Sequence, residues 1–397
     1  MTARELFLRV LDFQETGENL NWDFGYWGGA ISRWMEEGLP RDIDFRGVKR
    51  GFAYGEFING PGLTYPMASF DPDVLFASGI SRLFHLDAGP APFLINWWYH
   101  PRFDYRLVSE DEETIEFVDT QGIHCRNFKD HKSMPLWLDH PVKCERDWQQ
   151  IKEERFAIRD LTTRLVVEDL KSYLSTLPRR DFPLILYGSP IGFFGSVRFL
   201  IGEPSIYYLY YDQPGLIRDI VSHLTELWLA IAEEVTSMAD FDACYFFEDM
   251  AGKQGPLVGP AVFREFMMPC YKRLLQFARA RGVRHHIVDS DGNVEELIPL
   301  FLESGLTGML PFEVRAGNDI ERIRAQYPRL EILGGIDKTA LLDRSRTDAE
   351  LDKVRRMMQA GGYIPFVDHA YPPDISYADF CYFRNGLTRI VKPGHSI

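Results

Sequence analysis

Residues 285–293 read HHIVDSDGN. Ile287-Val288 continues an apolar run, and Asp289-Ser290-Asp291-Gly292-Asn293 closes it with two carboxylates two residues apart. A short apolar run ending in a polar, glycine-bearing tip and followed by a helical period reads as a buried strand opening a βα unit. Here NVEELIPLFLESG supplies the helical period. The same unit recurs along the chain. FPLILYGSP leads, after a shorter helical piece, to a helix near 214–238. ACYFFEDM leads to PAVFREFMMPCYKRLLQFARARG, and LTGMLPFEV to DIERIRAQYP. LEILGGIDK leads to a helix near 348–360, and GYIPFVDH to SYADFCYFRNGLTRIV. Six such units in succession predict a parallel sheet with helices outside it. A short strand near 19–25 and irregular early segments can bring the count to eight. The expected fold is therefore α/β, a (β/α)8 TIM barrel, with a doubly wound sheet as the alternative. The sequence shows no repeat of the solenoid kind.

The first part of the chain reads differently. Helical periods cover 2–13 and 29–37. Residues 94–127 alternate in polarity and are broken by DEE and TQG, which predicts a small antiparallel β meander over about 94–130. CERDWQQIKEERF and TTRLVVEDLKSYLSTL return to a helical period. One domain spanning 1–397 is expected.

Bulk properties narrow the partners. At 45% hydrophobic and 26% charged, the 397 residues suit a soluble globular core. A net charge of −14 argues against nucleic acid or an anionic membrane, both of which need a basic field. No apolar stretch reaches the roughly 18–20 residues of a spanning helix. The opening MTARELFLRVLDF is amphipathic and lacks the features of a signal peptide. Five scattered cysteines, Cys125, Cys144, Cys244, Cys270 and Cys381, with no CxxC, suit the reducing cytoplasm and argue against a cysteine-rich zinc site.

Aromatic residues make up 14% of the chain, many beside Gly or Pro as in NWDFGYWGG and FLINWWYHPRF. They fill the core or line a pocket. In YGSPIGFFGSVRFLIG the glycines are expected to let backbone approach a ligand. That stretch is neither a GxGxxG followed by a ribose-binding acid nor a P-loop, so no nucleotide cofactor is implied. GxSxG and HExxH are absent as well.

Chemistry in such a barrel sits at the C-terminal ends of the strands. Those ends read Tyr187-Gly188, Glu248-Asp249, Asp289-Ser290-Asp291, Glu313, Asp337-Lys338 and Asp368-His369. Five of the six carry an acid, although acids are depleted in strands. Helix caps and solvated loop starts account for part of this. Asn293 with Glu296 fits a capping box. Asp289 follows Ile-Val directly and should still lie on the strand. Residues i and i+2 of a strand share a face roughly 6.6–7 Å apart, so Asp289 and Asp291 are expected to point together into the mouth. Such a pair needs a cation, a basic partner or a shared proton. Lys253, Lys338, Arg198 and His369 are the candidate partners, and Arg198 can alternatively bind a carboxylate or phosphate. His285 and His286, inside the strand, read as packed core or surface residues.

The segments FFEDMAGKQGPLVGPAVFREFMMPCYKRL, HIVDSDGNVEELIPLFLESGLTGMLPFEV, LEILGGIDK and GGYIPFVDHAYPPDISYADFCYF resemble the uroporphyrinogen decarboxylase superfamily, which includes zinc- and corrinoid-dependent methyltransferases. The resemblance covers roughly 183–392 well and the first 180 residues loosely. It implies a (β/α)8 barrel with its site at the strand C-terminal mouth, and a homodimer. Two decarboxylase features are missing. An RQAGR-like segment corresponds here to NWDFGYWGG, without arginine, and an FSDI-type aspartate segment to DVLFASGIS near 73–81. The methyltransferase branch carries an H-x-C-G-N zinc segment and a later cysteine, matched here by Asp289, Asp291 and His369. Those three are the implied ligands of a divalent metal (Zn, Mn or Fe), with harder donors than thiolate.

The expected activity is methyl transfer from a small methoxylated or methylated compound to a corrinoid carried by a partner protein. Glu248, Asp249, Asp289, Asp291 and His369 are the expected catalytic groups. Tyr187, Arg198, Lys253, Glu313, Asp337, Lys338 and Asp368 are expected around the substrate. The alternatives are a decarboxylase of uroporphyrinogen or a smaller acid, and a non-catalytic binding barrel.

Overall fold

The computed structural model describes residues 1–40, 57–59, 79–129, 135–167, 169–188 and 190–394. The DVLFASGIS comparison thus falls mostly outside the described residues, as does the last residue of the expected meander.

Seven strands form one curled, all-parallel sheet in sequential order. They are β1 (Ala91–Pro92), β2 (Leu184–Tyr187), β3 (Ala243–Phe247), β4 (His285–Asp289), β5 (Gly308–Leu310), β6 (Glu331–Leu333) and β7 (Tyr363–Ile364). Nearly every residue in them is buried on both faces, as parallel strands under helices require. The long amphipathic helices Pro214–Thr236, Met268–Arg279, Arg344–Ala360 and Tyr377–Val391 lie outside, in the places their periodicity predicts. The architecture is that of a TIM-like α/β fold.

The expected strand near 19–25 is an extended segment beside both ends of the sheet. Asn19 Nδ2 donates to Tyr363 O (2.8 Å), and Asp87 N, just before β1, donates to Asn21 O (3.0 Å). Further on, Tyr371 N donates to Gly25 O (3.0 Å) and Trp27 N to Tyr371 O (3.2 Å). Inward side chains from β2–β6 (Ile185, Tyr245, Ile287, Leu310, Leu333) meet under Phe7 and Trp22 around a cavity of about 20 Å³. The sheet interior is therefore a packed core with room for about one water, and any chemistry is left to its rim.

The antiparallel insertion is present and shifted. Its four strands run Arg106–Glu110, Thr114–Val118, His124–Phe128 and Leu136–Asp139. Residues 94–105 make no strand because their aromatics turn inward: Trp97, Trp98 and Tyr99 are buried. Their backbone is held by the buried Arg164 guanidinium, which donates to Trp98 O (2.7 Å). TTRLVVEDLKSYLSTL is likewise broken, into a 3-10 turn at Leu161–Arg164 and a helix at Leu170–Thr176. Between them Val166 N donates to Leu94 O (3.1 Å), a strand-like contact that draws the β-branched pair out of the helix.

His286 faces outward from β4 and is fully buried, with Val283 O 3.0 Å from Nε2 and Gly305 O 3.3 Å from Nδ1. Burial, then the Arg279 guanidinium, pushes its pKa down to about 4. The folded value lies below the unfolded one, so this contribution to stability is present above pH 6.5 and is lost as pH falls toward 4. It amounts to about 3 kcal/mol. Urea melts at pH 7 and 4.5 are expected to differ by about 2 kcal/mol more in the wild type than in His286→Gln. An equal difference in both would remove His286 from the acid sensitivity.

Candidate functional site

The ends of β3 and β4 stay paired one residue beyond the strands, with Glu248 N donating to Asp289 O (2.9 Å). Asp249 follows in the left-handed region (φ 45°), which Asp tolerates better than most residues. The turn carries its carboxylate toward the next strand end. Oxygens of Asp249, Asp289 and Asp291 come to lie within 4.8 Å of one another. Gly292 makes the return possible. Its φ is 82°, and a Cβ there would sit 2.3 Å from Ala251 O. Asn293 N then donates to Gly252 O (2.9 Å), clamping the tip of DSDGN onto the chain after β3.

Each carboxylate has a different environment. Asp289 is 2% exposed and accepts a hydrogen bond from the Tyr245 hydroxyl. Burial, then the charges of Asp249 and Asp291, hold its carboxyl well above the usual range. Asp249 is pushed up to about 7 by burial and by Asp291, against the pull of Arg198. Arg198 donates to Asp249 O (3.0 Å), lies 3.4 Å from Asp249 Oδ2, and also reaches Glu203 at 3.6 Å.

Asp291 is the most open of the three, with His369 Nε2 3.5 Å from its Oδ2. Burial alone would lower the His369 pKa, but the Asp291 carboxylate outweighs it and the net shift is upward. The imidazole stacks against Phe24 (centroids 4.9 Å) and Trp27 (6.2 Å). Lys338 Nζ lies 3.7 Å from Glu313 and 3.5 Å from the fully buried Asp368. Glu313 in turn accepts from Gly292 N (3.0 Å).

A family model described as Uroporphyrinogen decarboxylase (URO-D) matches residues 138–385, which span β2–β7 and every acid of this cluster. The chain belongs to the uroporphyrinogen decarboxylase family. No curated protein sequence matches it. Among solved structures, the chain is similar to a methyltransferase from Methanosarcina mazei, with a TM-score of 0.59, 13% identity, and 98% of both chains covered. It is also similar to a B12-independent methionine synthase from Shewanella sp. W3-18-1 in complex with selenomethionine. That match has a TM-score of 0.34 and 15% identity, and covers 56% of this chain and 65% of that one. At such identities the first likeness speaks for the fold.

In this family member Asp249, Asp289 and Asp291 are the three that converge, while His369, the third implied ligand, meets Asp291 alone at 3.5 Å; Arg198, Glu313, Lys338 and Asp368 lie around them. The other expected residues do not join them. Glu248 turns away from the mouth. It is fully buried and accepts from Phe193 N (2.6 Å), Phe194 N (2.7 Å), Gly195 N (2.9 Å) and the Tyr271 hydroxyl. Two glycines of GSPIGFFG serve this contact: a Cβ on Gly192 would sit 1.9 Å from Phe247 O, and one on Gly195 2.7 Å from the same atom.

Tyr187 is buried against Trp97 and Phe246, with its hydroxyl 3.4 Å from Leu274 O. Asp337 caps the 3-10 turn Lys338–Leu342 through Thr339 N (2.8 Å) and pairs with Arg346 (3.2 Å). Lys253 is exposed between the paired Ala251–Gly252 and Gly255–Pro256. Asn293 does not cap a helix. The next helix begins at Ile298, with Pro299 in its first turn, and Asn293 instead accepts from Glu295 N (3.3 Å) in an Asx turn.

Sequence reasoning missed Tyr245, Phe24 and Trp27. Tyr245 pairs with Ile287, one inward step below the Phe247–Asp289 pair, a register that the sequence alone does not give. Phe24 and Trp27 belong to the NWDFGYWGG stretch, where core filling or a pocket lining was expected; its aromatics pack in the core or against it, and Phe24 and Trp27 also stack on His369. Trp22 and Tyr26 are core, while Trp27 is half-buried against His369.

Proposed function

We propose that this family member is a methyltransferase-like enzyme. It takes a methyl group from a small methoxylated or methylated compound and passes it to a corrinoid held by a partner protein. Segment 19–27 acts as the eighth stave of a closed (β/α)8 barrel, and residues 1–397 work as one unit. Five cysteines with no disulfide among them suit the cytoplasm.

The observation that carries this reading is the convergence of Asp249, Asp289 and Asp291. Their oxygens lie within 4.8 Å of one another, at a rim where carboxylates outnumber cations. A donor set of three carboxylate oxygens fits a divalent ion such as Mn²⁺, Fe²⁺ or Zn²⁺. Asp249, Asp289 and Asp291 would hold it, with His369 beside Asp291 at the edge. An ion held there would supply Lewis acidity toward the heteroatom of the methyl–heteroatom bond. Arg198 would steer Asp249, Glu313 would orient substrate, and Lys338, held between Glu313 and Asp368, would balance their charge.

Decarboxylation of a polycarboxylate is the weaker reading. Among the described residues, Arg198 is engaged by Asp249 and Glu203, and Lys338 by Glu313 and Asp368, which leaves neither free to anchor substrate carboxylates.

The test is elemental analysis of tag-free protein, wild type beside the Asp289→Asn/His369→Ala double variant. A cob(I)alamin methylation assay with small methoxylated aromatic compounds follows. About one Mn, Fe or Zn per chain, lost in the variant, together with methylcobalamin formation, is expected. A metal-free wild type that releases CO2 from a carboxylated substrate would replace this reading with decarboxylation. Tight binding without turnover would leave a binding barrel.

A further inference from the structure

We infer that Tyr245 is a positioning residue for the cation site: its hydroxyl fixes the Asp289 carboxylate in the orientation that completes the triad with Asp249 and Asp291. The inference rests on the cation reading above.

Tyr245 stands in the middle of β3 and pairs with Ile287. Its ring is wedged among the inward side chains that surround the small interior cavity and is 5% exposed. That packing holds its hydroxyl at the upper edge of the core. That hydroxyl donates to Asp289 Oδ2. The receiving carboxylate is the most buried of the three. A carboxylate offers about four lone-pair positions on two oxygens, so one hydrogen bond leaves Oδ1 and part of Oδ2 available. The χ2 torsion of Asp is broad and roughly two-fold, and by itself fixes little. Without the hydroxyl, repulsion from Asp249 and Asp291 would swing the Asp289 carboxylate out of the shared position. Asp249 has Arg198 to orient it and Asp291 has His369. Tyr245 does the same for Asp289 from below, with a neutral group that leaves the negative charge on the triad undiminished.

Mn²⁺ binding to metal-stripped protein tests this, followed by water-proton relaxation up to millimolar metal. The four proteins are wild type, Tyr245→Phe, Asp289→Asn and the double variant. Circular dichroism and thermal melting of the metal-free proteins serve as the fold check. Tyr245→Phe is expected to weaken Mn²⁺ binding by about 10–100-fold, the range for groups that orient a ligand. In the Asp289→Asn background the same change is expected to alter affinity by less than about twofold, because the carboxylate it acts on has lost its charge.

Equal affinity of Tyr245→Phe and wild type would overturn the inference and leave the cation reading standing. So would a loss of the same size in both backgrounds, or an unfolded Phe variant, since the hydroxyl would then support the barrel as a whole. A wild type that binds neither Mn²⁺ nor Zn²⁺ would overturn the cation reading, and this inference with it.

Discussion

Glu248→Ala is expected to cost about 3–5 kcal/mol of folding stability at pH 5, read from urea unfolding. The carboxylate sits in a cradle made by the amides of Phe193, Phe194 and Gly195, at the entry to helix Gly195–Ile201, and by Tyr271. Alanine would orphan three buried N–H groups and one buried hydroxyl. Each orphan costs about 1–3 kcal/mol, partly offset by no longer burying a carboxyl. Glutamine fills the space but presents an NH2 group to donors, so it is expected to recover less than half of the loss. The pH dependence has a definite sign. Burial outweighs the four donors and raises the carboxyl above its ordinary value. A group whose folded pKa is raised contributes most below its unfolded pKa, near 4.5, and loses that contribution as pH rises through the folded value. The gap between wild type and Glu248→Ala is therefore expected to narrow from pH 5 to pH 8. A gap that widens would mean that the four donors hold the Glu248 carboxyl below its ordinary value, and a cost under about 1 kcal/mol that they do not depend on it.

The contrast between Glu248 and its neighbour Asp249 shows what the sequence could and could not disclose. Both follow an all-buried strand, and sequence alone treats them alike. The left-handed turn at Asp249 separates their directions, and the mild tolerance of Asp for that region is too weak a signal to mark the turn in the sequence. Asp289 was legible, since an acid directly after Ile-Val has little local reason to be there. Gly292 was legible as a turn, but the close approach to Ala251 that demands it needs the neighbouring βα loop in place. The parallel strands and outer helices could be read from period because burial on both faces leaves an unbroken apolar run. The stretch 94–105 could not, because its alternation comes from aromatics that pack inward around Arg164 rather than from a strand with a wet face. Tyr245 was hidden for a third reason: its role depends on register between two strands, which one sequence does not give.

Asp289→Asn is expected to separate function from stability. Asparagine has nearly the same shape and its Oδ1 still accepts from Tyr245, so the barrel core is undisturbed. Affinity for Mn²⁺ or Zn²⁺ is expected to fall by more than roughly 100-fold, beyond the effect of losing an orienting group, because a charged ligand itself is gone. Methyl transfer should fall with it. The metal-free variant is expected to be more stable than the metal-free wild type. Burial and two neighbouring carboxylates raise the Asp289 carboxyl well above its unfolded value, so the ionised form opposes folding. The sign follows from linkage: wild-type stability is fully present below the unfolded pKa, about 3.9, and falls as pH rises through the folded value. The stability advantage of the variant should thus be largest at pH 8 and should shrink toward pH 4. Added metal should reverse the order, since it stabilises the protein that binds it. Thermal melts of both proteins at pH 5 and 8, with and without 1 mM Mn²⁺ (about a millimolar suffices for weak carboxylate sites), read all of these effects. If the metal-free variant were less stable at pH 8, the three carboxylates would not repel one another as their geometry requires. The cluster would then be a hydrogen-bonded structural knot and not a site held ready for a cation.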